Sequence, residues 1–394
     1  MEKILVLGAG EYQVRVIEEL KGMGLHVIAV DGDSQAAGQA VADEFLPLDI
    51  VNKDKVFRLA DSRQVSAIMP VNDFGVRSAA FASQRLGLIG LPPEAAEFSN
   101  HKGLMRQRWA NSDLRQPGFR VVRSFEECRQ AGSELGYPLV IKPTDCGGGS
   151  RGVRKVANQA LLQEAFEAAR TFATLSDDII IEQLIPGLEI TIEGFVYRGR
   201  VQVLAISDKE HFHSDTYCVA SGLNYYAALP EHIIKNISDL AERAAKALDF
   251  DNCPFHMEMI INDQKSYLVE ISARAGGGCI FSTIVNWVSG VNFVRQYAGI
   301  LMGRVIDIKP RYRRGAVFRF LSAPKGRISD IRNYQEAGLI EGVAELKIFK
   351  NIGETVGDVS MDNERLGFMV TLGENRKEAL KMADEAEALL EIKI

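Results

Sequence analysis

At 394 residues the chain is too long for one ordinary core and divides into two or three domains. Its 46% apolar and 25% charged residues are the mix of a globular enzyme, and a net charge of −6 argues against non-specific nucleic-acid binding, which needs a clustered positive field. The five cysteines include no CxxC pair, so neither a zinc site nor a disulfide framework is expected, and no apolar run reaches the roughly 18 residues of a membrane span.

Residues 3–7 predict a buried strand that breaks at Gly8, unlike the apolar core of a signal peptide, so a cytoplasmic protein is expected. A helix over 12–23, a strand over 26–30 ending at Asp31, and strands over 65–69 and 86–90 follow. This alternation predicts an α/β, Rossmann-like domain over residues 1–95, with a parallel sheet between helices. Gly8 and Gly10, with Asp31 after the next strand, resemble a dinucleotide fingerprint. Gln13 stands where that pattern needs a small residue, so a glycine-turn scaffold is the better reading and a dehydrogenase the alternative.

A second unit is expected over 96–303, with a flap subdomain at about 112–185. Its predicted elements are a helix over 102–110, strands over 139–143 and 152–156, and an amphipathic helix over 159–174. Strands over 179–183 and 189–196, a helix over 231–248 and strands over 256–261 and 266–271 complete it. Residues 304–394 predict an α+β segment with strands near 314–321, 345–349 and 367–372 and a closing helix over 375–390.

Two features carry chemistry. The glycine-rich stretch from Cys146 to Gly152 lies between two strands, so it is no Walker loop, which must open a helix. Gly148 and Gly149 allow backbone N–H groups to approach an anion, Ser150 adds a hydroxyl, and Arg151 adds a cation. Lys142, on the strand feeding this flap, can meet a nucleotide phosphate as a point charge. The second feature is a hairpin. A polar turn at 262–265 joins the strands carrying Glu258 and Glu270, and symmetry about residue 264 sets the two acids opposite each other. Directly paired side chains have Cβ atoms about 4.5–5.5 Å apart, so two carboxylates there call for a cation or a shared proton. Magnesium, or manganese in its place, suits such oxygen ligands. Ser272 and Arg274 follow on the same face, and Gly276 and Gly277 let the backbone bend close to the site.

Taken together these residues resemble the ATP-grasp superfamily of carboxylate–amine ligases, which includes L-amino-acid ligases and the large chain of carbamoyl phosphate synthase. The resemblance covers nearly the whole chain. It implies that Lys102 and Lys142 are nucleotide lysines, that residues 146–152 are the phosphate flap, and that Glu182, Gln183 and Ile185 lie on the adenine-binding strand. It further implies that Glu189 holds the ribose, that Glu258 and Glu270 are magnesium ligands, and that Arg274 stands by the reacting phosphate. Ser272 occupies a position where the family places Asn. The C-terminal segment, with Arg365-Leu-Gly before the last strand, is similar to that of L-amino-acid ligases. A weaker similarity to formate-dependent glycinamide ribonucleotide transformylase keeps that activity as an alternative, beside a nucleotide-binding pseudo-enzyme.

The implied reaction forms an acyl phosphate from a small carboxylate and ATP, then an amide with an amine. Lys142, Arg151 and Arg274 are its candidate catalytic cations. The polar stretch 209–217, with His211 and His213, is the expected substrate loop, joined by Gly276 and Gly277. Small-molecule partners, no nucleic acid and no membrane are expected, and a homodimer is what the resemblance implies.

Overall fold

The computed structural model describes residues 1–173 and 176–394. The first unit runs β1 (Lys3–Leu7), α1 (Val14–Gly22), β2 (His26–Asp31), β3 (Glu44–Pro47), α2 (Lys53–Arg63), β4 (Ala67–Pro70) and α3 (Asp73–Leu86). Its sheet is parallel in the order β3-β2-β1-β4. The strands are apolar at nearly every position because both faces are covered. Ile4 and Val6 pack into one core, Leu5 and Leu7 into another. Asn52 and Asn72 cap α2 and α3, each accepting a backbone N–H three residues on.

The strand expected over 86–90 is absent. Leu86 is the last residue of α3, Gly87 caps it in a left-handed conformation (φ 67°), and Ile89 is exposed. The sheet edge is taken instead by β3, whose Glu44 pairs with Arg63 of α2 at 2.6 Å. The fingerprint loop is also used internally. The Ala9 N–H and Asp33 N–H both donate to the Asp31 carboxylate, at 2.8 and 3.0 Å.

Two helices, α4 (Pro93–Asn100) and α5 (Lys102–Asn111), lead to a small unit with its own core. It contains β5 (Phe119–Val122), α6 (Phe125–Leu135), β6 (Leu139–Pro143), β7 (Arg154–Val156), α7 (Leu162–Thr171) and β8 (Ile179–Gln183). The antiparallel order is β5-β8-β6-β7, and Cys128, Leu139, Ile141, Phe166 and Ile181 fill the space between sheet and helices. Helix α7 ends at Thr171, and Thr174, the expected last residue, lies outside the described residues.

The main sheet has eight antiparallel strands. They are β9 (Leu188–Tyr197), β10 (Arg200–His211), β11 (Ala220–Tyr225), β12 (Cys253–Asn262), β13 (Lys265–Ser272), β14 (Gly315–Leu321), β15 (Val343–Ile348) and β16 (Gly367–Gly373). Their order is β13-β12-β9-β10-β11-β14-β16-β15, so the C-terminal segment supplies three strands to the same sheet. Alternation along β9 divides its residues. Ile190 and Ile192 enter the core under α8 (Glu231–Ala247), whose stripe of Ile233, Ile234 and Ile237 is buried. Glu189, Thr191 and Glu193 occupy the other face, and there the functional cavity lies. Among the described residues no helix is long and apolar enough to cross a membrane.

Candidate active site

The β12–β13 hairpin sets the site. Asp263 and Gln264, both with positive φ, form its two-residue turn, and Asn262 pairs with Lys265. Symmetry about such a turn would place Glu258 opposite residue 269. A β-bulge corrects this: Val269 is an extra residue, so Glu258 pairs with Glu270, Met257 with Ile271 and His256 with Ser272. The acids are therefore opposed as expected, but through a bulge and not through symmetry about residue 264.

Lysines accompany the acids. Lys102 Nζ stands 3.2 Å from Glu270, and Lys209 Nζ stands 2.7 Å from Glu258 and 2.6 Å from Glu189. Burial opposes the charge on both lysines, but Glu270 for Lys102, and Glu189 and Glu258 for Lys209, hold the ammonium groups protonated far above their usual range. Burial opposes the charge of Glu258 as well. Lys209 and His256 outweigh it and keep this carboxyl well below the ordinary carboxylate range. A third buried group joins Lys142, 2.9 Å from Glu182, to Arg106, which donates to Glu182 at 2.8 Å and to the Leu268 carbonyl at 2.5 Å.

His256 and Glu193 form a further pair beneath Glu258. The His256 Nδ1–H donates to Glu193 at 2.5 Å, and the other carboxylate oxygen accepts the Gly276 N–H at 3.1 Å. Burial disfavours the imidazolium, but Glu193 prevails and raises the His256 pKa to about 9. A Cβ on Gly276 would lie 2.7 Å from the Glu193 carboxylate, so only glycine fits this approach without a shift.

The N-terminal unit also reaches the site. Asp73, at the start of α3, takes a two-pronged contact from Arg274 at 3.0 and 2.9 Å and a hydrogen bond from the Ser272 hydroxyl. The next residue, Phe74, lies against the flap. Residues 147–150 all have positive φ, and a Cβ on Gly147 would meet the Phe74 ring at 2.3 Å. Arg151 lies over the same ring, 5.9 Å from its centroid. From the C-terminal segment, the Asp362 N–H donates to the Gly149 carbonyl at 3.2 Å.

These groups enclose a cavity of about 1090 Å³. Lys102, Lys142, Gly148, Gly149, Ser150, Arg151, Glu182, Gln183, Ile185, Glu189, His211, Glu258, Glu270, Arg274 and Gly277 line it. Three of the expected residues do not. Ser272 is buried with its hydroxyl turned to Asp73, Gly276 is drawn to Glu193, and His213 is exposed on the loop after β10. The expected loop 209–217 begins as strand: Lys209 to His211 end β10, held by β9 on one side and β11 on the other. His211 Nε2 stands 3.2 Å from Glu189.

Four contributors escaped the sequence reading, Asp73, Arg106, Glu193 and His256, while Lys209 was placed in the expected substrate loop without its ion pairs to Glu189 and Glu258. The signal for His256 was available, because it stands two residues from Glu258 on a strand and shares its face. Among the described residues no three His, Cys, Asp or Glu side chains converge as a ready-made metal cage. The residues that could hold a divalent cation are the opposed pair Glu258 and Glu270, a donor set compatible with magnesium, which takes one or two protein carboxylates and fills its shell from phosphate and water.

Comparison with known proteins agrees with this architecture. The ATP-grasp domain model matches residues 135–283, and the model for L-amino acid ligase C-terminal domain 2 matches residues 319–394. The chain is similar to a formate-dependent phosphoribosylglycinamide formyltransferase of Wolinella succinogenes, 24% identical over 389 residues, covering 97% of this chain and 95% of that one. Among solved structures it resembles the L-amino acid ligase of Bacillus licheniformis, with a TM-score of 0.84, 22% identity, and coverage of 100% and 98%. It also resembles the biotin carboxylase domain of 2-oxoglutarate carboxylase from Hydrogenobacter thermophilus, solved with MgADP (TM-score 0.76, 19% identity, coverage 100% and 90%).

Proposed function

We propose, taking as premise that this chain is an ATP-grasp protein with a C-terminal domain of the L-amino acid ligase type, that it is an ATP-dependent carboxylate–amine ligase acting on amino-acid or peptide-like substrates. The observation that carries the reading is the opposed pair Glu258 and Glu270, set beside Lys102, Lys209 and Arg274 in one cavity under a glycine-rich flap.

In this reading the phosphates of ATP lie under residues 147–150, where the backbone can turn N–H groups toward an anion. Lys102 and Lys142 neutralise phosphate oxygens, and Glu182 to Ile185 border the base. Glu258 and Glu270 would hold magnesium, which when bound supplies charge neutralisation at the phosphates. A carboxylate oxygen of the substrate attacks the γ-phosphorus, and the bond to ADP breaks. Arg274 faces the charge that develops, kept in orientation by Asp73. The flap, resting on Phe74, keeps water from the acyl phosphate. An amine nitrogen then attacks the acyl carbon, inorganic phosphate leaves, and the amine loses a proton to the departing phosphate or to water.

The test is a phosphate-release screen with ATP, magnesium and pairs of amino acids and other carboxylates and amines. Turnover that depends on both partners is expected, and Glu270→Ala should lower it by at least ~10²-fold while the protein stays folded. Near-normal turnover by this variant would sink the assignment. Release only with glycinamide ribonucleotide and formate would move the chain to the transformylase class, and ATP binding without any release would make it a nucleotide-binding protein.

A further inference from the structure

The cavity has two ends of opposite chemistry. One is ionic, built from the lysine–glutamate groups under the flap. The other is bordered by the rings of Tyr12, Phe318, Phe320 and Phe349, with the Glu11–Lys347 ion pair also lining the cavity. Phe318 and Phe320 share one face of β14, with ring centroids 4.6 Å apart. The fully buried Phe368 backs Phe349 at 5.8 Å and Tyr12 at 5.9 Å. The rings are thus fixed from behind, yet Phe349 keeps 44% of its surface exposed. Apolar area presented to a cavity in this way awaits an apolar ligand.

The glycine stretch borders the aromatic end. Gly276 abuts Glu193, and Gly278, with positive φ, lets the Phe318 ring come close: a Cβ there would lie 3.0 Å from its Cζ. Arg365 adds a polar group to the aromatic end. It lines the cavity, is only 8% exposed, and lies over Phe320 with its Cζ 3.5 Å from the ring centroid. One terminal nitrogen donates to the Ala220 carbonyl at 3.0 Å and Asp362 stands 3.0 Å away, but the Arg365 Nε–H has no partner among the described residues. A buried donor without an acceptor is unfavourable and points to an acceptor on the ligand.

We propose that this aromatic lobe is the specificity pocket for the carboxylate substrate, selecting a carboxylate that bears an aromatic or similarly large flat apolar group and offers an oxygen to Arg365. The proposal rests on the ligase reading above and names its substrate class. A small substrate leaves the rings wet, and an acidic one without a ring reaches Arg365 but leaves the rings wet as well.

Calorimetric titration of the full chain, with magnesium and a non-hydrolysable ATP analogue present, tests it with L-phenylalanine, L-alanine, L-glutamate and 2-phenylethylamine. Burying one ring predicts that phenylalanine binds about 10- to 100-fold tighter than alanine or glutamate. Phenylethylamine, which has the ring but no carboxylate, should bind at least about tenfold more weakly than phenylalanine. Phe349→Ala, a change at a half-exposed ring, should cut the preference for phenylalanine over alanine by about tenfold, and Phe320→Ala is the second variant. Equal binding of alanine or glutamate, no binding of phenylalanine, phenylethylamine binding as tightly, or a preference kept in both variants would overturn the proposal. Ring-selective binding without carboxylate-dependent ADP release would leave the lobe standing and remove the ligase reading. ADP release without ring selectivity would do the reverse.

Discussion

Replacing Glu193 by Gln isolates the charge buried beneath Glu258. The amide oxygen can still accept the Gly276 N–H, so the backbone approach is retained while the ion pair with His256 is lost. In the wild type, Glu193 overcomes burial and lifts the His256 pKa from its ordinary 6.5 to about 9. That rise corresponds to ~3 kcal/mol of folding free energy. Because the folded value is the higher one, this stability is fully present below about pH 6.5 and is lost as the pH passes through about 9. Urea unfolding of both proteins, in half-unit steps from about pH 6 to about pH 9.5, should show a gap that is widest at the acid end and closes towards the alkaline end. A gap of constant size across the range would refute the reasoning, since it would mean that Gln disturbs packing and not a titrating pair.

Lys209→Met leaves the partly buried Glu189 and Glu258 without their shared ammonium; breaking a fully buried pair costs about 3–5 kcal/mol and partial exposure lowers this to about 1–3 kcal/mol, so the thermal midpoint should fall, an unchanged midpoint being the contrary result. Gly276→Ala forces a methyl to 2.7 Å from the Glu193 carboxylate and 2.9 Å from Ile280, which predicts a loss of about 1–3 kcal/mol in denaturant unfolding; wild-type stability would show that the glycine stretch yields more easily than its surroundings imply.

The legible parts of this protein were those coded by short-range pattern. Continuous apolar strands such as Lys3–Leu7 gave the parallel unit, and the acids at 258 and 270 showed themselves by their distances from one polar turn. Pattern failed where a neighbour elsewhere decides. Leu86 to Gly90 reads as apolar strand, but α3 runs on through Leu86 and the edge is filled by the less apolar β3. Lys209 and His211 read as loop because their polarity serves a cavity, whereas strands on both sides hold them in β10. The bulge at Val269 is invisible to a symmetric count that happens to return the right pairing. Glu193 reads as an ordinary polar residue of an alternating strand until His256 and the glycine stretch are seen above it.

Asp73 and Arg274 are 201 residues apart in the chain, and this separation bears on how the site comes into being during synthesis. At about 5–20 residues per second, roughly 10–40 s pass between the emergence of one and of the other. The carboxylate comes first and has a tolerable wait, since it sits in the first turn of α3, where the helix dipole favours negative charge. The guanidinium comes last, so it never has to be buried before its counter-charge exists. The order of the two residues along the chain thus spares the nascent protein the state that would be hardest to sustain, a desolvated cation without a partner.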